Sequence, residues 1–322
     1  MTQEYRIAHI SDLHLSPDYF PERTERFRMV LLQCRQLNVD HIIITGDVTN
    51  QARREELEHF RSVLKEFSLL DGNKISVVIG NHDIFGGPYH AEDVLKFPSL
   101  CKSTNYDAKV DEFYNGIKET FEGARFFSPK SAFPFVKVLG DVAVIGINSI
   151  ARWHALKNPI GSNGKVDEEQ REMLKKIFDS TPVKKKHLFV AIHHHFNKKE
   201  DEQERTKFER LWLAFESATL KLHKKKRLLK LFRHGGVQHV LHGHVHQHEE
   251  YHHKGVRFLN AGGSIIPVSE SKQAFHLFIV QGAHVTVKTI LLQRRAEKNA
   301  GMRKNKTTLH SLPIKKQAVV MT

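Results

Sequence analysis

The stretch RIAHISDLHL (residues 6–15) decides how the rest of the chain is read. Its first half is an apolar, strand-like run, and its second half sets Asp12 and His14 immediately past that run. The arrangement recurs twice. HIIITGDVT (41–49) ends in Asp47, and ISVVIGNHD (75–83) ends in Asn81, His82 and Asp83. Near-continuous apolar runs are what strands covered on both faces require. Between the runs, residues 21–37 and 51–70 carry apolar side chains at three- and four-residue spacing, which predicts helices. Strand–helix–strand alternation predicts an α/β fold with parallel central strands.

The pattern continues outward. HLFVAI (187–192) leads into His193, His194 and His195, and HVLH (239–242) leads into His244 and His246. VAVIGI (142–147) and AFHLFIV (274–280) read as further strands, and the strands from Phe258 onward follow one another without long helices, which predicts an antiparallel portion. A helix over 167–178 has Asp167 to cap it, and another is expected over 110–121. Two stretches read as insertions, 84–132 and 198–234. The second reads as one long amphipathic helix, with Phe208, Leu211, Trp212, Phe215, Ala218 and Leu222 on a single face and a basic second half. His9 and His239 lie inside strands and read as core histidines. His248, His252 and His253 read as a solvated loop.

Composition narrows the class. At 322 residues and 40% hydrophobic, 27% charged, the chain is an ordinary globular protein and neither disordered nor fibrous. The charge-free stretch 273–287 is too short to span a bilayer and is broken by His276, Gly282 and His284. No secretory signal is visible, and the only cysteines, Cys34 and Cys101, argue for a reducing compartment, so a cytoplasmic location is expected. The net charge of +14 is uneven: residues 184–234 hold fifteen Lys/Arg against six Asp/Glu, and residues 288–322 hold nine against one. Two basic elements on a near-neutral body do not describe a uniform nucleic-acid wrapper.

Five strand ends bearing carboxylate, imidazole and amide groups converge on the carboxyl edge of such a sheet, where α/β folds place their sites. Tight exits through Gly46, Gly80 and Gly243 would bring the side chains to one point. Asp12 and His14, like His244 and His246, are two apart and on extended backbone would point to one side. Oxygen and imidazole donors without thiolate suit two Mn, Fe, Zn or Co ions rather than a structural zinc. Such a pair, about 3.5–4 Å apart, clamps the oxygens of an in-line displacement at phosphorus.

DLH, GDVT, GNHD, the histidine run and GHVH, in this order, resemble the five motifs of the calcineurin-like metallophosphoesterase superfamily, over roughly residues 5–265. Within it, the compact chain and the GNHD form are most similar to bacterial class III cyclic nucleotide phosphodiesterases. The resemblance implies a four-layer α/β sandwich of two mixed β-sheets flanked by helices, with the inserted amphipathic helix. One domain over 1–290 would be followed by a basic tail over 291–322. Carried over position by position, Asp12, His14, Asp47 and His246 would hold one metal. Asp47 would bridge, and Asn81, His194 and His244 would complete the other. A bridging hydroxide would attack a small phosphodiester while His82 protonated the leaving oxygen.

Two departures stand out. Asn50 replaces the acid of the family's Gly-Asp-x-x-Asp, which leaves the partner of His82 open. Phe196 replaces a proline of the fourth motif; aligning the two makes His194 the ligand, with His193 the alternative. The basic helix 205–233 suggests contact with an anionic membrane and a lipid-linked pyrophosphate as an alternative substrate. A nuclease ranks lower, because the body lacks the aromatic–basic interleaving that stacks single strands. A catalytically silent scaffold ranks last, since none of the seven ligand positions is missing.

Overall fold

A computed structural model describes residues 4–87, 91–196, 220–246, 248–262, 264–265 and 272–293. The first sheet runs β14(His284–Gln293), β13(Lys272–Gln281), β1(Tyr5–Ile10), β2(His41–Ile44), β3(Ile75–Val77). Its β1, β2 and β3 are parallel, and β13 and β14 form an antiparallel edge. The second sheet runs β11(His248–His253), β12(Val256–Ala261), β10(His239–His242), β8(His187–Ile192), β6(Val142–Ile147), β5(Phe135–Leu139), β4(Arg125–Phe126). Its central four strands, β12, β10, β8 and β6, are parallel. A short parallel pair joins β7(Gly164–Lys165) to β9(Leu222–His223).

The strand alternation explains the layering. On β8, Phe189 and Ala191 belong to the large core shared with the first sheet, while Leu188, Val190 and Ile192 belong to a second core. The large core takes in Phe27, Val30 and Leu31 of α1(Pro21–Gln36) and Leu57, Phe60 and Val63 of α2(Arg54–Glu66). The second takes in Leu174 and Ile177 of α5(Glu168–Asp179) and Leu228 and Phe232 of α6(Lys225–His234). Two mixed sheets flanked by helices result, as the family resemblance implies. Phe189 is fully buried between the sheets, 5.1 Å from Phe278, so Phe189→Ala would cost about 3–5 kcal/mol.

Local chemistry sets the boundaries. Pro21 opens α1 with its φ already suited to a first turn. Asp167 caps α5 by accepting from Gln170 N at 2.8 Å. The helix expected over 110–121 starts earlier, as α4(Tyr106–Gly116) capped by Asn105, and then tightens into a 3₁₀ turn over Lys118–Phe121. The 84–132 insertion also contains α3(Ala91–Ser103), a helix the sequence reading did not include and one that has Pro98 inside it.

The single long helix expected over 198–234 is not what forms in the described part. Leu222–His223 is strand β9, and Lys224 adopts a left-handed φ of 58° before α6 begins. The apolar face of α6 is packed onto the body. Phe208, Leu211, Trp212, Phe215 and Ala218 lie outside the described residues, as does the tail after Gln293. Residues 248–253, expected as a loop, form β11 beside β12. Among the described residues, no helix is long and apolar enough to cross a membrane.

Candidate metal centre

The segments leaving β1 and β2 are stitched together. Asp12 N donates to Gly46 O at 3.1 Å, His14 N to Asp47 O at 2.8 Å, and Leu15 N to Val48 O at 2.9 Å. Asp12, His14 and Asp47 take left-handed φ of 55°, 44° and 50°, and His244 and His246 take 75° and 26°. These pairs converge because alternate residues turn into the left-handed region, and not because the backbone is extended. Each such non-glycine residue costs roughly 1–2 kcal/mol, a strain that tertiary contacts here sustain at a site. Gly46 is needed for close approach: with φ 93°, a Cβ there would stand 2.7 Å from His193 Nδ1. At Gly243 a Cβ would run into Ser11 and the Asp12 carboxylate.

Two groups of ligand atoms result, each within 4.8 Å: Asp12, His14, Asp47 and His246, and Asp47, His193 and His244. Asp47 is common to both. In the first, His14 Nε2 lies 2.9 Å from His246 Nε2 and 3.5 Å from Asp47 Oδ2. In the second, His193 Nε2 lies 3.3 Å from Asp47 Oδ2, 3.2 Å from His244 Nδ1 and 3.0 Å from Asn81 Oδ1. His193 Nδ1 donates to the Thr45 carbonyl at 2.8 Å, which orients the ring and turns Nε2 to the site. His244 Nε2 is buried with no partner. Converging imidazole nitrogens and two buried carboxylates fit two divalent cations sharing Asp47.

The electrostatics agree. Burial opposes charge on Asp47, yet His193, His82 and His14 around it hold its carboxyl well below the usual range. Burial also opposes charge on His193, but Asp47 and Asp12 raise it to about 9. Asp12 is itself raised, chiefly by burial. Asp83 is not a ligand: it accepts from Thr49 N, Thr49 Oγ1 and Gly80 N and so ties the loops after β2 and β3 together.

His194 does not join either group. Its Nδ1 lies 2.8 Å from Ser149 Oγ and its Nε2 3.1 Å from Ser162 O, so both ring nitrogens are engaged, and burial lowers it to about 3. The strand period is the reason. His193 shares the parity of Phe189 and Ala191, which face the first sheet, whereas His194 shares that of Val190 and Ile192. The alternative His193 takes the place.

His82 stands at the rim, its ring edge-on to His14 at 4.4 Å and its backbone N donating to Asp47 Oδ1 at 2.8 Å. The partner left open by Asn50 is the Asn50 main-chain carbonyl, 3.0 Å from His82 Nδ1. Sequence reasoning missed this anchor because any residue at position 50 supplies it. It also missed Arg23, which donates to His14 O at 2.9 Å and to Asn50 Oδ1 at 3.4 Å.

Known proteins bear on this geometry. The chain is 28% identical over 143 residues to the DNA double-strand break repair protein Mre11 of Methanopyrus kandleri, an alignment covering 40% of this chain and 32% of that one. It thus spans about a third of the length of the curated relative it matches. Among solved structures, a dimetal phosphatase from Danio rerio superposes with a TM-score of 0.58 at 14% identity, over 90% of this chain and 98% of that one. A purple acid phosphatase from yellow lupin (Lupinus luteus) seeds superposes at 0.56 and 12% identity, over 90% of this chain and 52% of that one. At such identities these two speak for the fold alone. A sequence model of the calcineurin-like phosphoesterases matches residues 5–248, a span that takes in every strand end of the centre, and the chain belongs to that family.

Proposed function

We propose that the protein hydrolyses a phosphodiester bond in a small organic molecule, the class that includes cyclic nucleotides. The observation that carries this reading is the meeting of two ligand groups at Asp47 with His82 poised at their rim. Asp12, His14, Asp47 and His246 would hold one divalent ion, and Asp47, Asn81, His193 and His244 the other. When bound, such a pair supplies positive charge to the phosphoryl oxygens and acidifies water toward neutrality.

The chain's own residues do the rest. With Nδ1 turned to the Asn50 carbonyl, His82 can exchange a proton only through Nε2, which suits a group that protonates a departing alkoxide. Gly87 packs so closely on the ring that a Cβ there would collide with it, which holds the imidazole in place. His82→Ala should leave two bound metal equivalents and lower turnover of poor leaving groups by roughly 10²–10⁴-fold. The loss should shrink for p-nitrophenolate, which needs little protonation. Equal losses across leaving groups would show that His82 only positions substrate.

A nuclease is the second reading, favoured by the partial similarity to the repair protein Mre11 and by the basic elements. It is separable by assaying single-stranded DNA beside small diesters. The membrane reading draws on Lys226, Arg227, Lys230 and Arg233, which are exposed on α6. With the apolar face of α6 buried, contact with anionic lipid would be electrostatic and would fade with salt.

A further inference from the structure

Helix α4, the loop after β6, strand β7 and the start of α6 line a cavity of about 740 Å³. No residue of the two ligand groups is in its wall, yet the wall is joined to them through β7. A Cβ on Gly164 would stand 2.5 Å from His194 Cγ, and the His194 ring lies 4.4 Å from that of His244. Lys165, the next residue, lines the cavity. One ring and one residue therefore separate the cavity from the metal centre.

Five cationic side chains and four carboxylates share the wall. Lys165 pairs with His223 across β7 and β9; Leu222 is buried in the second core, so alternation turns His223 the other way, to the cavity. Lys130, Lys157 and Lys224 line the same space. None of these four lysines makes an ion pair among the described residues. Two of the acidic groups in the wall are committed: Asp107 pairs with Arg152, and Asp167 caps α5. Once Asp107 and Arg152 cancel, Asp111, Asp167 and Glu169 stand against four ammonium groups.

His223 Nε2 is buried without a partner, and burial, with Lys221, Lys157 and Lys165, lowers its proton affinity. Lysines on a flat surface turn out into water, but lysines sharing a concave wall focus a positive potential. The N-terminus of α6, which has no side-chain cap and no acidic residue in its first turn, adds to it.

We propose that this cavity receives a second oxyanion, of the phosphate class, carried by the same molecule whose scissile ester lies at the metal centre. The proposal rests on the hydrolytic reading above and narrows it. A cyclic mononucleotide has one phosphate and leaves the cavity unused, whereas a dinucleotide or a nucleoside bisphosphate ester has two.

Two measurements test it, with wild type compared against Lys157→Ala/Lys165→Ala. In calorimetry on metal-depleted protein, adenosine 3′,5′-bisphosphate should bind at least ten-fold more weakly to the variant. In kinetics on the metal-loaded enzyme, the probe is the 5′-p-nitrophenyl ester of thymidine 3′,5′-bisphosphate beside bis(p-nitrophenyl) phosphate. The ratio of their kcat/KM values should fall at least ten-fold in the variant, and Lys157→Arg/Lys165→Arg, which keeps both charges, should restore most of it. An unchanged ratio overturns the proposal; if binding alone weakens, the cavity holds a separate anion and not part of the substrate. Should wild type hydrolyse neither diester, the hydrolytic reading fails and takes the proposal with it, and the calorimetry still shows whether the cavity binds anions.

Discussion

The two ligand groups share Asp47 and differ in almost everything else. The second, with His193 and His244, is buried throughout, whereas the first ends on His246, whose side chain is 44% exposed. Their backbones differ too. The first stands wholly on left-handed residues leaving β1, β2 and β10, while in the second His193 follows β8 without a left-handed turn, its far nitrogen held by the Thr45 carbonyl. A site whose donors are desolvated and oriented in advance loses little on binding a cation. The inner group should therefore retain its ion and the outer group should exchange it.

The largest effect should come from removing what the groups share. Asp47→Ala should take the bound metal from two equivalents to none in elemental analysis and lower kcat/KM on the order of 10³-fold or more. One tightly held ion in that variant would mean that the inner group does not depend on Asp47.

Next comes the pair of neighbouring histidines. His193→Ala should reduce the bound metal to one equivalent. His194→Ala should keep both and instead cost about 1–3 kcal/mol of stability, because its two buried ring hydrogen bonds, to Ser149 Oγ and Ser162 O, are lost. The opposite outcome, metal lost with His194, would restore the alignment through Phe196.

A smaller effect is expected at the exposed end. His246→Ala should weaken the outer ion by roughly 10–100-fold, and excess Mn should recover most activity. If excess metal recovers nothing, the two groups are equally demanding and the contrast between them disappears.

A last effect, on stability and not on metal or turnover, separates the site from its scaffold. His41 begins β2, at the opposite end of that strand from Asp47. Burial lowers it to about 3, against the hydrogen bond its Nδ1 makes with the Asn73 carbonyl. The unfolded chain takes up a proton below about pH 6.5 that the folded chain refuses. Stability is thus level above that pH and falls as pH drops toward 3, by up to about 4–5 kcal/mol from this group. His239, lowered to about 4, adds to the fall with the same sign. Melting temperature should decline between pH 6.5 and 4.5, and His41→Gln should flatten that decline; an identical slope would place the acid sensitivity elsewhere.

Much of this was legible before any coordinates. The α/β class and its parallel central strands needed little beyond apolar runs alternating with helical patterns, because strands buried on both faces read as continuous hydrophobic segments. Asp12, His14, Asp47, Asn81, His244 and His246 were legible because each follows such a run directly, and the structure brings all six together. His193 was within reach. The parity of Phe189 and Ala191 points to it, but only once it is known which face of β8 meets the other sheet. The break at Leu222–His223 was not legible, because the basic, Leu-rich run reads as helix and only pairing with β7 makes those two residues a strand.

The sequence by itself determined the fold class and the kind of chemistry. Both rest on local quantities: the period of the apolar pattern, and the type and spacing of the side chains that follow each run. What only the tertiary structure decided depends on which backbone lies beside which. The Asn50 carbonyl holds His82, His193 stands where His194 was expected, and four lysines from three separate segments share one cavity. A main-chain carbonyl carries no residue identity, and the facing of a strand is fixed by its neighbours, so no reading along the chain contains them.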